Sequence, residues 1–363
     1  MLQNKKRDYV SCDFEVFNFL ERIVKIDSQS KNSKGVEAVL LEVKNNLIKH
    51  GFNPVYLPNP VLDSAPLLVA NLNSKARTVV IICHADTVIP ADLSPLRREG
   101  DYLIGAGIAD NKAGIAIALK GIFEFLKLNP EPNFNIQVVC SPYEELGSTG
   151  FHQFFSDLGK NADLVLGFEP AHGDGNIISS RNGNKWYKLN VKGKAQHSGR
   201  AHKSHINAAH DLFNIVSYLD KELRLHNEVT MNVGEVSGGH SFNTICDSAF
   251  AKIDTRFKSF KGLSIIKDLF EKDLTYLLRR CHIDDLTSKI EIEVHDYCPP
   301  LEFNKVYSKH INSYIDAIRS YEDFNVQHVH SGGAADINHF WHEDQKGFDG
   351  LGAVGGRFHR VDE

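Results

Sequence analysis

The sequence predicts an α/β protein: a mixed, largely parallel sheet flanked by helices, with an inserted α+β unit of ferredoxin-like type. Three observations lead there. Thr78–Cys83, Asn135–Cys140 and Ala162–Phe168 are apolar runs with little polar alternation, the pattern of strands covered on both faces. Just beyond each stands a His or a Glu, at the carboxyl ends of strands where open α/β sheets collect their chemistry. From about Ser179 the texture turns to half-exposed alternation in β-α-β-β-α-β order, an antiparallel sheet with both helices on one face. The expected domains are therefore 1–178 with 297–363, enclosing 179–296.

In chain order, Phe14–Ile26 and Gly35–His50 read as amphipathic helices, the second closing at Gly51. Pro66–Leu72 and Thr78–Cys83 are strands, the latter ending at His84-Ala85-Asp86. GAGIAD then precedes KAGIAIALKGIFEFLKL, whose Ile115, Ala118, Leu119, Ile122 and Leu126 keep helical spacing. A lone Asp before such a helix is ordinarily its cap, so Asp110 has a plain structural reading. Pro130-Glu131-Pro132 breaks the chain before the strand Asn135–Cys140, which leads into Pro142-Tyr143-Glu144-Glu145, and Ala162–Phe168 ends in Glu169-Pro170. The inserted unit has strands at Trp186–Val191, Val229–Val236, Ala249–Phe257 and Lys289–His295, with helices at Ile206–Leu223 and Gly262–Cys281. After Pro299-Pro300 the α/β pattern resumes. It runs through a helix Asn304–Tyr321, a strand Val326–Val329, a turn at Ser331-Gly332-Gly333, a helix beginning near Asp336, and Leu351–Gly356 leading to His359.

Composition narrows the function classes. A net charge of -5, with Lys and Arg scattered, gives no footprint for nucleic acid. The N-terminus lacks the apolar core of a signal peptide and no stretch could span a bilayer, so a cytoplasmic location is expected. Six cysteines without a Cys-x-x-Cys spacing point to neither a zinc ribbon nor a dithiol site. Cys83 and Cys140 read as reduced core residues.

The strand-end and loop residues are His84, Asp86, Asp110, Glu144, Glu145, Glu169 and His359. Taken singly, His84 reads as a hydrogen-bonded histidine and Glu144-Glu145 as a solvated pair. Together, two imidazoles and several carboxylates suit zinc through nitrogen and oxygen donors at roughly 2.0–2.2 Å. Two divalent ions sharing a bridging carboxylate would leave one Glu of the Glu144-Glu145 pair free to move a proton.

His84-x-Asp86, GAGIADNKAG, SPYEE, FEP and the closing GLGAVGGRFHRVDE resemble the zinc exopeptidase and amidohydrolase family of glutamate carboxypeptidase, aminoacylase, acetylornithine deacetylase and succinyl-diaminopimelate desuccinylase, over nearly the whole chain. The resemblance implies two zinc ions per subunit, replaceable by cobalt or manganese: His84 and Glu169 on one, Glu145 and His359 on the other, Asp110 bridging. It implies that Asp86 orients His84, and that Glu144 is the general base. It makes the insert a lid and homodimer interface, whose His197, in KGKAQHSG, steadies the oxyanion in the neighbouring subunit's site. Asn243 in SFNTI and Arg256 in DTRF match positions that hold the substrate's carboxylate.

Three features depart from the family pattern. His202 and His205 stand where the lid loop usually has Pro and Gly, and Ala335 replaces the usual Thr or Ser before Asp336. Family members also usually continue into a terminal helix beyond the point matching Glu363. The expected function is hydrolysis of an amide bond beside a free carboxylate, as in a glutamate carboxypeptidase. The alternatives are an N-acyl-amino-acid deacylase acting on acetylornithine or succinyl-diaminopimelate, or a silent binding homologue. Glu at 169 rather than Asp resembles the carboxypeptidase and deacylase members more than the aminopeptidases.

Overall fold

In the computed structural model the residues described are 14–173, 175–201, 205–273, 289–303, 305, 308–321, 325–340 and 347–363. The chain opens with α1 (Phe14–Val24) and α2 (Ser33–Lys49), then strands β1 (Asn53–Leu57), β2 (Leu67–Asn71) and β3 (Thr78–His84). A hairpin of β4 (Arg97–Glu99) and β5 (Tyr102–Ile104) leads to α3 (Ala113–Leu128), followed by β6 (Asn135–Ser141), α4 (His152–Asn161), β7 (Leu164–Gly167) and β8 (Ile177–Arg181). Next come β9 (Gly183–Lys192), α5 (Ala208–Leu223), β10 (Val229–Gly238), β11 (Ser248–Phe257), α6 (Phe260–Lys267) and β12 (Lys289–Cys298). The helix Ser308–Tyr321 and short strands β13 (His328–Ser331) and β14 (Gly347–Phe348) follow.

These elements divide into two compact units, one drawn from the described residues of Met1–Ser180, Phe303–His330 and Ala335–Glu363, the other from Arg181–Glu302 and Ser331–Ala334. The first holds a six-stranded sheet in the order β1-β2-β6-β3-β7-β14. β3 runs parallel to β6 and β7, and β14 parallel to β7, while β1-β2 and β2-β6 are antiparallel. The sheet is thus mixed, its parallel part running from β6 through β3 and β7 to the edge strand β14, and Val80, Ile81, Ile82, Val138, Val139 and Val165 of β3, β6 and β7 are buried. Ile115, Leu119 and Ile122 of α3 close over one face together with Val36, Leu40 and Leu47 of α2. Their i, i+4 and i+7 spacing is what turns a single stripe of α3 to the sheet.

The second unit has the fully antiparallel order β10-β11-β9-β12. Leu212, Ile215 and Leu219 of α5 and Leu263 and Ile266 of α6 pack with Leu189, Val191, Ala251 and Ile253 of the sheet, completing the ferredoxin-like unit. Phe270 stacks on Tyr187 with ring centroids 4.1 Å apart.

Several elements differ from the sequence reading. The segment from Asp336 is a short tight-helical turn to Phe340 within the described residues, and α6 ends at Lys267 before a wider turn, Asp268–Asp273. The remainder of the helix expected to reach Cys281, with Asn304 and His202, lies outside the described residues. The strands β1, β4 and β5 and the helix α4 carry signals too short or too polar to register. β1 shows only a half-buried edge, and α4 buries only Phe155 and Gly159.

Candidate metal centre

His84 is the last residue of β3, buried where Ala85 leaves the sheet by donating its N–H to Ser141 O at 2.8 Å. Its Nδ1 lies 3.0 Å from the Asp86 main-chain oxygen and 3.3 Å from Asp86 Oδ1, which fixes the Nδ1–H tautomer and turns Nε2 outward. Nε2 stands 2.9 Å from Asp110 Oδ1 and 3.6 Å from Glu169 Oε1.

Asp110 does not cap α3. The helix begins at Ala113, the residue before it, Lys112, makes no side-chain cap, and Asp110 itself has an extended φ of -118° and ψ of 86° ahead of a cis peptide to Asn111. Its carboxylate is free to reach a second histidine: Asp110 Oδ2 is 3.5 Å from His359 Nε2, which is 3.0 Å from Glu145 Oε2. Five residues, from a strand end, a turn, a second strand's loop, a third strand's loop and the chain's last segment, therefore form one continuous line of donors: Glu169, His84, Asp110, His359 and Glu145.

Two donors bound at about 2.1 Å to one tetrahedral zinc lie about 3.4 Å apart. The separations of 2.9, 3.6, 3.5 and 3.0 Å bracket that value. His84, Asp110 and Glu145 offer ligand atoms all within 4.8 Å of one another, and Glu145 Oε1 is buried with no hydrogen-bond partner. An acceptor buried without a donor is costly unless a cation satisfies it, so the donor set fits a divalent metal.

Electrostatics agree. Burial disfavours charge on the His84 ring, yet the carboxylates of Glu169, Asp110 and Asp86 outweigh it and hold its pKa well above the ordinary value. Hydrogen bonding of its ring N–H to the Asp110 and Glu145 carboxylates pushes His359 up to about 10. Burial, aided by the negative charge of Asp110 and Asp349, pushes Glu169 up to about 7. Burial also raises Glu145 and, more strongly, Glu144. Carboxylates crowded this closely hold protons unless a cation replaces them.

Asp86 does more than orient His84. Its Oδ1 accepts the Glu144 N–H at 3.0 Å, and its Oδ2 accepts the Glu145 N–H at 3.2 Å and the Ser30 hydroxyl at 2.7 Å. Asp349 is a second fully buried carboxylate with a positioning task, accepting the Glu169 N–H at 3.2 Å and the Gly350 N–H at 2.7 Å. Neither Ser30 nor Asp349 stood out in the sequence, although the Asp349-Gly350 pair is an ordinary turn signal. The segment carrying His359 threads past Glu169 because Gly352 has no side chain: a Cβ there would lie 2.5 Å from Phe168 O.

The three substrate-side candidates lie in the second unit. His197 is exposed, with Nδ1 accepting the Gly199 N–H at 3.2 Å. Asn243 O accepts the Ser198 N–H at 2.9 Å, so His197 and Asn243 belong to one paired loop. Arg256 is not with them. It lies near the far end of β11 from Ser248, roughly 26 Å along a strand at 3.3 Å per residue, and its Nε donates to Asp254 Oδ2 at 2.9 Å. Within this unit, then, Asn243 and Arg256 do not share a locus.

Residues 179–280 match the peptidase dimerisation domain and residues 68–216 the peptidase family M28. Carboxypeptidase G2 of Pseudomonas sp. (strain RS-16) is 28% identical over 233 residues, covering 63% of this chain and 54% of its own length. A probable carboxypeptidase of Arthroderma otae is 24% identical over 286 residues, covering 70% and 62%. The chain thus spans between about half and two-thirds of these relatives. A tripeptidase of Staphylococcus aureus has a TM-score of 0.76 at 23% identity, covering 96% of this chain and 92% of that one. An M20 family metallo-carboxypeptidase from Sulfolobus solfataricus has a TM-score of 0.72 at 19% identity, covering 93% and 91%.

Proposed function

Given that the chain is related to the metal-dependent exopeptidases and amidohydrolases, we propose that it hydrolyses the amide bond beside a free carboxylate, releasing a C-terminal amino acid as a glutamate carboxypeptidase does. The observation that carries this reading is the unbroken line of donor atoms from Glu169 through His84, Asp110 and His359 to Glu145. His84 and Glu169 would hold one ion and His359 and Glu145 the other, with Asp110 shared between them.

Bound zinc, or cobalt or manganese in its place, supplies Lewis acidity to the amide carbonyl and a water acidic enough to attack at neutral pH. The chain's own residues do the rest. Glu144, not needed as a ligand, accepts the proton of the attacking water and returns it to the leaving amine. Its raised pKa, set by burial, suits a group that must both take and give a proton. Asp86 holds the Glu144-Glu145 turn so that one carboxylate serves the proton and its neighbour the metal. His197 from the partner subunit of a homodimer steadies the oxyanion, and Asn243, on the same loop, contacts the substrate carboxylate; Arg256, at the other end of β11, joins it there only if the two residues come from different subunits.

The names of the relatives favour a peptide over an N-acyl amino acid, the second substrate class this chemistry accepts. Metal content by elemental analysis, beside turnover of C-terminal glutamate dipeptides and N-acyl amino acids, tests the reading. Two zinc ions per chain with preferred cleavage of the dipeptides is the expected result. Preferred turnover of acetylornithine or a succinylated diamino acid would move the assignment to a deacylase, and two bound ions with no turnover of either set to a binding homologue.

A further inference from the structure

We propose that Glu363 is a positioning residue that sets the distance between the bridging carboxylate and the distal histidine; this rests on the metal-centre reading above. The Glu363 side chain is buried at 6% exposure, and its two oxygens are divided between two segments far apart in the sequence. Oε1 accepts the main-chain N–H groups of Ala109 at 3.2 Å and Asp110 at 3.0 Å. Oε2 accepts the N–H of His359 at 3.1 Å. One rigid carboxylate thus clips together the backbones of the two residues whose side chains face each other at 3.5 Å. A planar carboxyl group fixes the angle between its partners as well as their distance.

Both partners need holding. Asp110 has left the strand and has not entered the helix, so no ladder or helix bond accepts its N–H. His359 has φ of 62°, in the left-handed region that a residue with a side chain occupies only where its surroundings fix it. Glu363 is itself anchored without calling on the metal ligands: its main-chain O accepts the Gly105 N–H at 3.0 Å, and its N–H donates to Arg360 O at 3.1 Å. The same terminal segment has a tie that bypasses the carboxylate, the Ser94 hydroxyl on Val361 O at 2.9 Å.

That second tie supplies the control. Zinc titration of the metal-stripped full chain should resolve two binding steps in the parent. Glu363→Gln, which presents an NH2 to one set of N–H donors, should weaken at least one step by about 10- to 100-fold, the usual cost of losing a group that orients a metal ligand. Ser94→Ala, which loosens the segment without touching the carboxylate, should leave both steps unchanged. Glu363→Asp, a methylene too short to span both partners, should fall between Gln and the parent and guards against a Gln variant that does not fold. In the metal-free chain, amide exchange at Asp110 and His359 should quicken in Glu363→Gln and not in Ser94→Ala. Unchanged zinc affinities and unchanged exchange in both Glu363 variants overturn the assignment, as does an equal loss in Ser94→Ala. A parent that takes up no zinc overturns the metal-centre reading, while the exchange comparison still decides whether the clip exists.

Discussion

At the scale of single residues, the site is a set of acids and bases that a cation must reconcile. Glu144→Ala should retain the metal and lose amide hydrolysis by about 10²- to 10⁴-fold, the range for removing a general base, with elemental analysis and turnover measured on one sample. Asp86→Ala removes the acceptor of two N–H groups and one hydroxyl at a fully buried position, so it should cost about 1–3 kcal/mol in denaturant unfolding as well as activity. The titrations have a consequence with a definite sign. His84 and His359 have raised values in the metal-free fold, so their contribution to stability is complete below the unfolded value of about 6.5 and is lost as pH rises, for His359 through about 10. The raised Glu169 carboxyl acts in the same direction, its contribution lost as pH rises through about 7. Asp110, held low by its histidines against the effect of burial, opposes them only in strong acid. The folded chain therefore binds more protons than the unfolded one across neutral pH, and the unfolding free energy falls as pH rises. His359, half exposed, carries the smaller share because water screens it. Thermal unfolding in chelator should show a lower midpoint at pH 9 than at pH 6, and saturating zinc should shrink that difference.

At the scale of elements, the site depends on where β3 stops and α3 starts. Gly114 lets α3 sit against the loop after β7: a Cβ there would lie 2.2 Å from both Phe168 O and Asn111 Oδ1. Gly114→Ala should therefore cost about 1–3 kcal/mol through overpacking and also weaken zinc binding, because the shift propagates into the turn that carries Asp110. Leu119→Ala, buried in the same helix, should cost about 2–5 kcal/mol with zinc stoichiometry unchanged. Comparing denaturant midpoints with zinc content separates the two effects. The same elements show what the sequence could reveal. β3, β6, β7 and α3 were legible because continuous apolar runs and a 3.6-residue stripe are strong local signals, and His84, Glu144, Glu145 and Glu169 were legible as their strand-end neighbours. Asp110 was ambiguous locally, and only its distance to two histidines separates a candidate ligand from a cap. Ser30, Asp349 and Glu363 were not legible, because each acts through hydrogen bonds to residues 56, 180 and 253 positions away, which no local pattern encodes.

At the scale of the whole molecule, the two units answer to different tests. The first holds the complete donor line, whereas His197 and Asn243 lie on a loop of the second, the unit that matches a peptidase dimerisation domain. If His197 serves a neighbouring subunit, mixing His197→Ala chains with Glu144→Ala chains should restore activity through hybrid dimers. One hybrid site in two would then keep both groups. Absence of recovery, with subunit exchange demonstrated by a tag, would place His197 outside the reaction or within its own subunit. The exposed β10, seven of whose ten residues are exposed, is an edge along which such a unit can pair. No helix among the described residues is long and apolar enough to cross a membrane.

The tie between Glu363 and the turn at Asp110 also orders events in time. During synthesis the strands that carry His84, Glu144, Glu145 and Glu169 emerge well ahead of the histidine that closes the line of donors and can fold as they appear. A nascent chain, or one trimmed by a protease before position 359, can assemble the scaffold and hold at most one side of the centre. On the proposed function, competence to cleave peptides would therefore arrive only after His359 has been translated.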